Sequence, residues 1–297
     1  GLPAAHVPMG VPLPPAIPKA AARARLGLPA DALVLASFGH INPYKRVDAV
    51  LRALKLLRAE HANARYVLVG SVSPNYDLSA AIARAGLADA ATATGYVGRA
   101  AFEDYVAAAD ICVNLRHPTA GETSASLLRL LGAGKPTLVT ASGSFAELPG
   151  GIAAQVDLDR SEGDLIVAYC RLLAARPDLA VAMGAAARAY VAREHTLEGA
   201  AAGYMRFLAA RYGWGDTPKL RQPLWQPAAA SQETTTPQPA AAGPSHPPRA
   251  ARLGPRAARS AIEPIAQALA GLGASEDDAA LLGATARALA DLGTAAE

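Results

Sequence analysis

The stretch "LVLASFGHINPYKRVDAVLRALKLLRAEHANARYVLVG", Leu33 to Gly70, decides the fold class. It opens with "LVLASF" (33–38), a continuous apolar run of the kind found in strands buried on both faces. Gly39 and Asn42-Pro43 then turn the chain. Val47, Val50, Leu51, Leu54 and Leu57 recur at the spacing of one helix face, and "RYVLVG" (65–70) is a second apolar run. Two such strands joined by an amphipathic helix form the repeating unit of a parallel sheet covered on both sides.

The alternation continues outward from this unit. A helix is expected near 77–86, a short strand around Tyr96, a helix at about 100–109 and a strand at "ICVNL" (111–115). A helix over 122–133, the strand "PTLVT" (136–140) and a strand near 152–156 follow. Three helices at roughly 162–175, 178–194 and 196–212 complete the series. The expected class is α/β, a doubly wound, Rossmann-like parallel sheet over residues 31–213. Residues 1–30 form a Pro-rich lead-in ending in a short Ala/Arg helix. Residues 214–256 are rich in Pro, Ala and polar residues and read as a disordered linker. The segment 257–297 carries two weak helical patterns, the second with Ser275 as N-cap, and is given no role beyond a helical tail.

Composition removes several function classes. The 297 residues are 52% hydrophobic, 5% aromatic and 18% charged, with a formal net charge of +3. Scattered Lys and Arg at so small a net charge argue against a nucleic-acid partner. Cys112 and Cys170 lie far apart without metal-ligand spacing and read as buried small hydrophobes in a reducing compartment. No apolar run reaches the roughly 18 residues of a membrane span, and the first residues lack a signal-peptide pattern. The expected location is cytoplasmic, with peripheral association at the inner face of a membrane as an extension of that reading.

In an open parallel sheet, ligands bind beyond the carboxyl ends of the strands. Three loops at that edge stand out. In "FGHINPYKR" (38–46), Gly39 leaves the strand and Lys45 and Arg46 open the next helix, where basic groups oppose the helix dipole. A bound diphosphate would remove that conflict; the alternative is a pair of solvated surface cations. "GSVSPNY" (70–76) is a small-residue turn in which Gly70 permits close approach of a ligand, although ordinary turn chemistry explains it equally. In "HPTAGETSASLLRLLGAGKP" (117–136), His117, Gly121, Glu122, Thr123 and Ser124 stand where a strand hands over to a helix. That place suits a phosphate, and it equally suits plain helix capping. "TGYVG" (94–98) adds another glycine-flanked strand end with Tyr96 and Val97. The G-x-G-x-x-G fingerprint is absent, and "GAGKP" lacks P-loop spacing and reads as a helix terminator. The convergence of cations, a carboxylate and glycines on one sheet edge favours a phosphate-bearing, hydroxyl-rich ligand.

These segments, in this order, resemble a known family. From about Val7 to Tyr212 the chain looks like the C-terminal, donor-binding domain of a GT-B, family-4-like retaining glycosyltransferase. "VPMGVPLP" resembles that family's interdomain segment, and "LGLPADALVLASFGHINPYKR" its first strand and basic loop, with Lys45 at the diphosphate-binding lysine. "TGYVG" resembles its base-contacting loop. "AAADICVNLRHPTAGETSASLLRLLGAGKPTLVTASGSFAELP" resembles the stretch carrying its Glu-x7-Glu motif. The resemblance implies transfer of a sugar from a nucleotide diphosphate donor, with no other cofactor and no metal, to an acceptor glycan, lipid or protein. It implies donor contacts at Gly39, His40, Lys45, Arg46, Gly70, Tyr96, Val97, His117, Gly121, Glu122, Thr123 and Ser124, with Glu122 and Lys45 in the catalytic roles.

Two departures bear on that expectation. His40 stands where the family usually has Arg, which shifts charge compensation toward Lys45 and a protonated His40. The second glutamate, which holds ribose hydroxyls in the family, is replaced by Leu130 or Arg129 according to register. A GT-B enzyme also places an acceptor domain before this one, so the chain reads as the donor-binding half of a transferase. A non-catalytic nucleotide-sugar-binding module, or an epimerase using Glu122, His117 and Glu147, are the alternatives.

Overall fold

A computed structural model describes residues 4–213. The linker and tail expected at 214–256 and 257–297 lie outside the described residues. Six strands, β1 (Val34–Phe38), β2 (Arg65–Val69), β3 (Ala91–Ala93), β4 (Ile111–Asn114), β5 (Thr137–Thr140) and β6 (Ala154–Val156), form one sheet in the order β3-β2-β1-β4-β5-β6. Every pairing is parallel. Eight α-helices of the described residues accompany them: α1 (Lys19–Leu26), α2 (Val47–Leu57), α3 (Leu78–Ala85), α4 (Arg99–Ala108), α5 (Ala125–Gly132), α6 (Glu162–Ala175), α7 (Pro177–Glu194) and α8 (Leu197–Tyr212). This is the doubly wound α/β architecture that the sequence predicts.

The strands divide their side chains between two cores. Leu35, Tyr66, Leu68, Ile111 and Val113 pack against α2, α3 and α6 on one face. Val34, Ala36, Phe38, Val67, Val69 and Cys112 face α4 and Leu130 of α5 on the other. Burial on both faces is why these strands read as continuous apolar runs. Cys112 and Cys170 are fully buried, and burial pushes both thiols up to about 12, as befits inert core residues. The lead-in is docked on the domain: α1 packs on α4 with Ala22 buried, and the Val11 N–H donates to the His195 carbonyl at 2.9 Å.

Two element boundaries differ from expectation. The strand near Tyr96 lies earlier, at Ala91–Ala93, where it pairs with Tyr66–Leu68. Gly95 then takes a positive φ of 70° and turns the chain away, leaving Tyr96 86% exposed. The helix expected from residue 122 starts only at Ala125, because Ser124 is its N-cap and accepts from the Leu127 N–H at 3.2 Å. Glu122 lies before the helix and does not cap it.

The strand order reverses between β1 and β4, so the loops following these two strands flank the crevice where such sheets bind ligands. The loops after β1 and β2 are bound together. The Ile41 N–H donates to the Ser71 carbonyl at 2.8 Å and the Ser73 N–H to the Ile41 carbonyl at 2.7 Å. At Gly70, with φ of 143°, a Cβ would lie 2.0 Å from the Gly39 carbonyl oxygen, so only glycine permits this crossing.

Candidate donor-binding site

Lys45 belongs to a short 3₁₀ turn, Pro43–Lys45, in front of α2. Its side chain folds back under the loop, and Nζ donates to the Phe38 carbonyl at the end of β1 at 2.7 Å. Only 5% of the residue is exposed. Burial, with the nearby Arg116 charge acting in the same direction, pushes the ammonium down to about 8. A solvated surface cation would show neither feature. Lys45 is a largely desolvated charge with one carbonyl partner, at the mouth of the switch-point crevice.

Arg46 has a different occupation. It takes a left-handed conformation, φ 57°, and its guanidinium forms a bidentate pair with Glu162 at the start of α6, with Nε at 2.7 Å from Oε1. The structure therefore places Arg46 as a brace between the first loop and α6 rather than among the groups facing the crevice. The conflict of a cation with the start of α2 is relieved here by a carboxylate.

The loop after β4 brings Glu122 to Arg116, a residue that the sequence reading leaves out. Arg116 Nη1 pairs with Glu122 Oε1, while Oε2 accepts from the Thr119 hydroxyl and the Ala120 N–H, both at 2.8 Å. Bonding to Arg116, then to the local backbone and the Thr119 hydroxyl, holds the Glu122 carboxyl down to about 2. The Arg116 guanidinium lies 5.5 Å from the Tyr44 ring centroid and 5.7 Å from that of Phe145. Its side chain is 12% exposed. The clue in the sequence is position alone, directly after the buried run "ICVNL" and in the same loop as Glu122.

The remaining expected residues scatter along the edge. His40 is exposed, with Nδ1 at 3.1 Å from the Ser71 hydroxyl. His117 is also exposed, its backbone N–H tied to the Tyr44 carbonyl at 2.7 Å. Val97 packs partly into the core beside Phe102, and Thr123 and Gly121 lie exposed in the loop before α5. Leu130 is core, while Arg129 sits 5.7 Å from the Phe102 ring. Among the described residues no group of three His, Cys, Asp or Glu side chains is placed to hold a metal ion. No described helix is long and apolar enough to cross a membrane.

The parallel sheet thus carries a buried, carbonyl-bonded lysine at its switch point, and Arg116, paired with Glu122, lies near enough to lower its pKa. Residues 32–175 match the family described as glycosyl transferases group 1. D-inositol 3-phosphate glycosyltransferase of Streptomyces scabiei is 34% identical over 194 residues, which is 59% of this chain and 41% of the relative. The chain thus spans about two fifths of that relative's length. Among solved structures, the Anabaena protein HepE in complex with UDP superposes with a TM-score of 0.57 at 17% identity, over 65% of this chain and 52% of the other. The C-terminal domain of a glycosyl transferase group 1 family protein, LpcC, from Francisella tularensis gives a TM-score of 0.53 at 16% identity. That match covers 62% of this chain and 96% of the other. Both likenesses are of fold.

Proposed function

We propose that this domain binds the nucleotide diphosphate sugar donor of a retaining glycosyl transfer, and that it is the donor half of a two-domain enzyme. The observation that carries the reading is the buried Lys45 ammonium at the switch-point crevice. A desolvated cation costs free energy unless an anion is drawn to it, and a diphosphate supplies that anion. During transfer the bond from the anomeric carbon to the diphosphate oxygen breaks and negative charge grows on the leaving group. A fixed cation in a site of low dielectric stabilises that charge without reorganising. Glu122, still partly exposed, offers the remaining lone pair of Oε1 to a hydroxyl of the donor sugar. The near-complete overlap with an isolated C-terminal domain supports the half-enzyme reading, and the UDP complex of HepE supports a nucleotide ligand.

Lys45→Ala tests this. It removes a charge-assisted contact worth about 1.5–3 kcal/mol. Calorimetry should show the affinity for UDP, or for another nucleoside diphosphate, falling at least about tenfold, with the bare nucleoside unaffected. Equal losses for nucleoside and nucleoside diphosphate would refute the proposal.

A further inference from the structure

We infer that Arg116 is the second cation of the donor site and shares the diphosphate with Lys45. The inference rests on the donor reading and adds to it a residue from the opposite side of the crevice. Lys45 enters from the loop after β1 and Arg116 from the loop after β4, and these strands are neighbours at the switch point. The two charges are close enough that Arg116 disfavours the protonated form of Lys45. Glu122 is the carboxylate that pairs with Arg116, whereas the Lys45 ammonium bonds to the Phe38 carbonyl rather than to a carboxylate.

The way Arg116 is held leaves it donors to spend. Nη1 is taken by Glu122, and the flanking Tyr44 and Phe145 rings fix the guanidinium. Nη2 has only a 3.5 Å contact with the Ser124 hydroxyl, at the limit of a hydrogen bond, and Nε is buried with no partner in the protein. A guanidinium carries five donors in a planar fork that matches phosphate oxygens, and a buried donor without a partner is costly.

A third group points to the same place. Asn114, at the end of β4, is 3% exposed, and its Nδ2 has no partner in the protein. Its Oδ1 meets the Ser126 hydroxyl at 3.4 Å. That hydroxyl lies 4.0 Å, and Lys45 Nζ 3.7 Å, from where a Cβ on Gly39 would sit. The absent Cβ thus keeps open a small space bordered by an ammonium and a hydroxyl, with the Asn114 amide behind the hydroxyl. His40, expected to supply the second charge, is instead at the exposed rim.

The test uses the full chain, with UDP, ADP, GDP, uridine and inorganic pyrophosphate as calorimetric probes. Arg116→Gln should weaken UDP and pyrophosphate about tenfold or more and leave uridine within about twofold, as loss of a charged phosphate contact requires. Arg116→Lys, which keeps the charge and loses the fork, should show a smaller loss of the same pattern. It also serves as the readout if Arg116→Gln does not fold. If Lys45→Ala weakens UDP while both Arg116 variants bind UDP and pyrophosphate as the wild type does, Arg116 only braces the loop and the inference fails, with the donor reading intact. If pyrophosphate binding depends on both cations but neither UDP, ADP nor GDP binds, the cation pair stands and the donor reading fails.

Discussion

Raising the pH through the Lys45 titration should release the donor, by an amount that follows from the residue's burial. In the free protein the ammonium titrates at about 8, lowered chiefly by burial and further by Arg116. It is therefore roughly nine-tenths protonated near pH 7 and roughly one-tenth protonated near pH 9. A diphosphate held against Lys45 would bind the protonated form and return the pKa toward or above its ordinary value of 10.5. Recapturing the proton at pH 9 then weakens apparent affinity about tenfold relative to pH 7, or about 1.4 kcal/mol. The ligand's last phosphate ionisation lies near pH 6, so titration of its phosphates does not produce a loss above neutrality. Nor does unfolding through Lys45. A lysine with a lowered folded pKa adds relative stability as pH rises from about 8 toward 10.5, because the unfolded chain binds the extra proton there.

Calorimetry of UDP binding in two buffers of different ionisation heat, near pH 8.5, measures the proton directly. The wild type should take up most of one proton per ligand bound, and Lys45→Ala none. Affinity that stays flat from pH 7 to 9 in the wild type, or falls equally in the variant, would refute the placement of Lys45 against the diphosphate.

The other predictions separate bracing residues from binding ones. Arg46→Ala strands the buried Glu162 carboxylate and should cost about 2 kcal/mol, less than for a fully buried pair because Arg46 reaches solvent. For a domain of this size that lowers the thermal midpoint by about 4–8 °C, read by calorimetric melting, with UDP affinity within about twofold of wild type. Glu122→Gln keeps an oxygen for one set of its partners and loses the charge. The ratio of intact UDP-sugar to UDP affinity should fall several-fold, and an unchanged ratio would confine Glu122 to holding Arg116.

The fold was legible because burial on both faces writes itself into the sequence as unbroken apolar runs, and "LVLASF" and "RYVLVG" had no other reading at that spacing. Element ends were less legible. In the sequence Glu122 looks like the start of α5, because a carboxylate followed by two hydroxyls resembles a cap, yet only Ser124 reaches the Leu127 N–H. Charge partners were the least legible. Arg46 and Glu162 stand 116 positions apart, and no local pattern could join them.

The second cation is hidden from the sequence for the same reason. His40, Lys45 and Arg46 are neighbours in sequence, so local pattern alone places both positive charges of the site in one loop. The fold distributes them otherwise. Parallel strands place β1 and β4 side by side only after the chain has travelled through β2 and β3, and each contributes its own carboxyl-end loop to the crevice. Of the three basic residues in the first loop, only Lys45 turns inward. Arg46 is neutralised by α6 and His40 stays at the exposed rim. The inward-facing partner charge comes from the loop after β4, where Tyr44 of the first loop lies against the guanidinium and ties the two loops together. A diphosphate held between Lys45 and Arg116 would thus bridge the topological seam of the sheet, which makes its binding sensitive to both loops and to the strand pairing that brings them together.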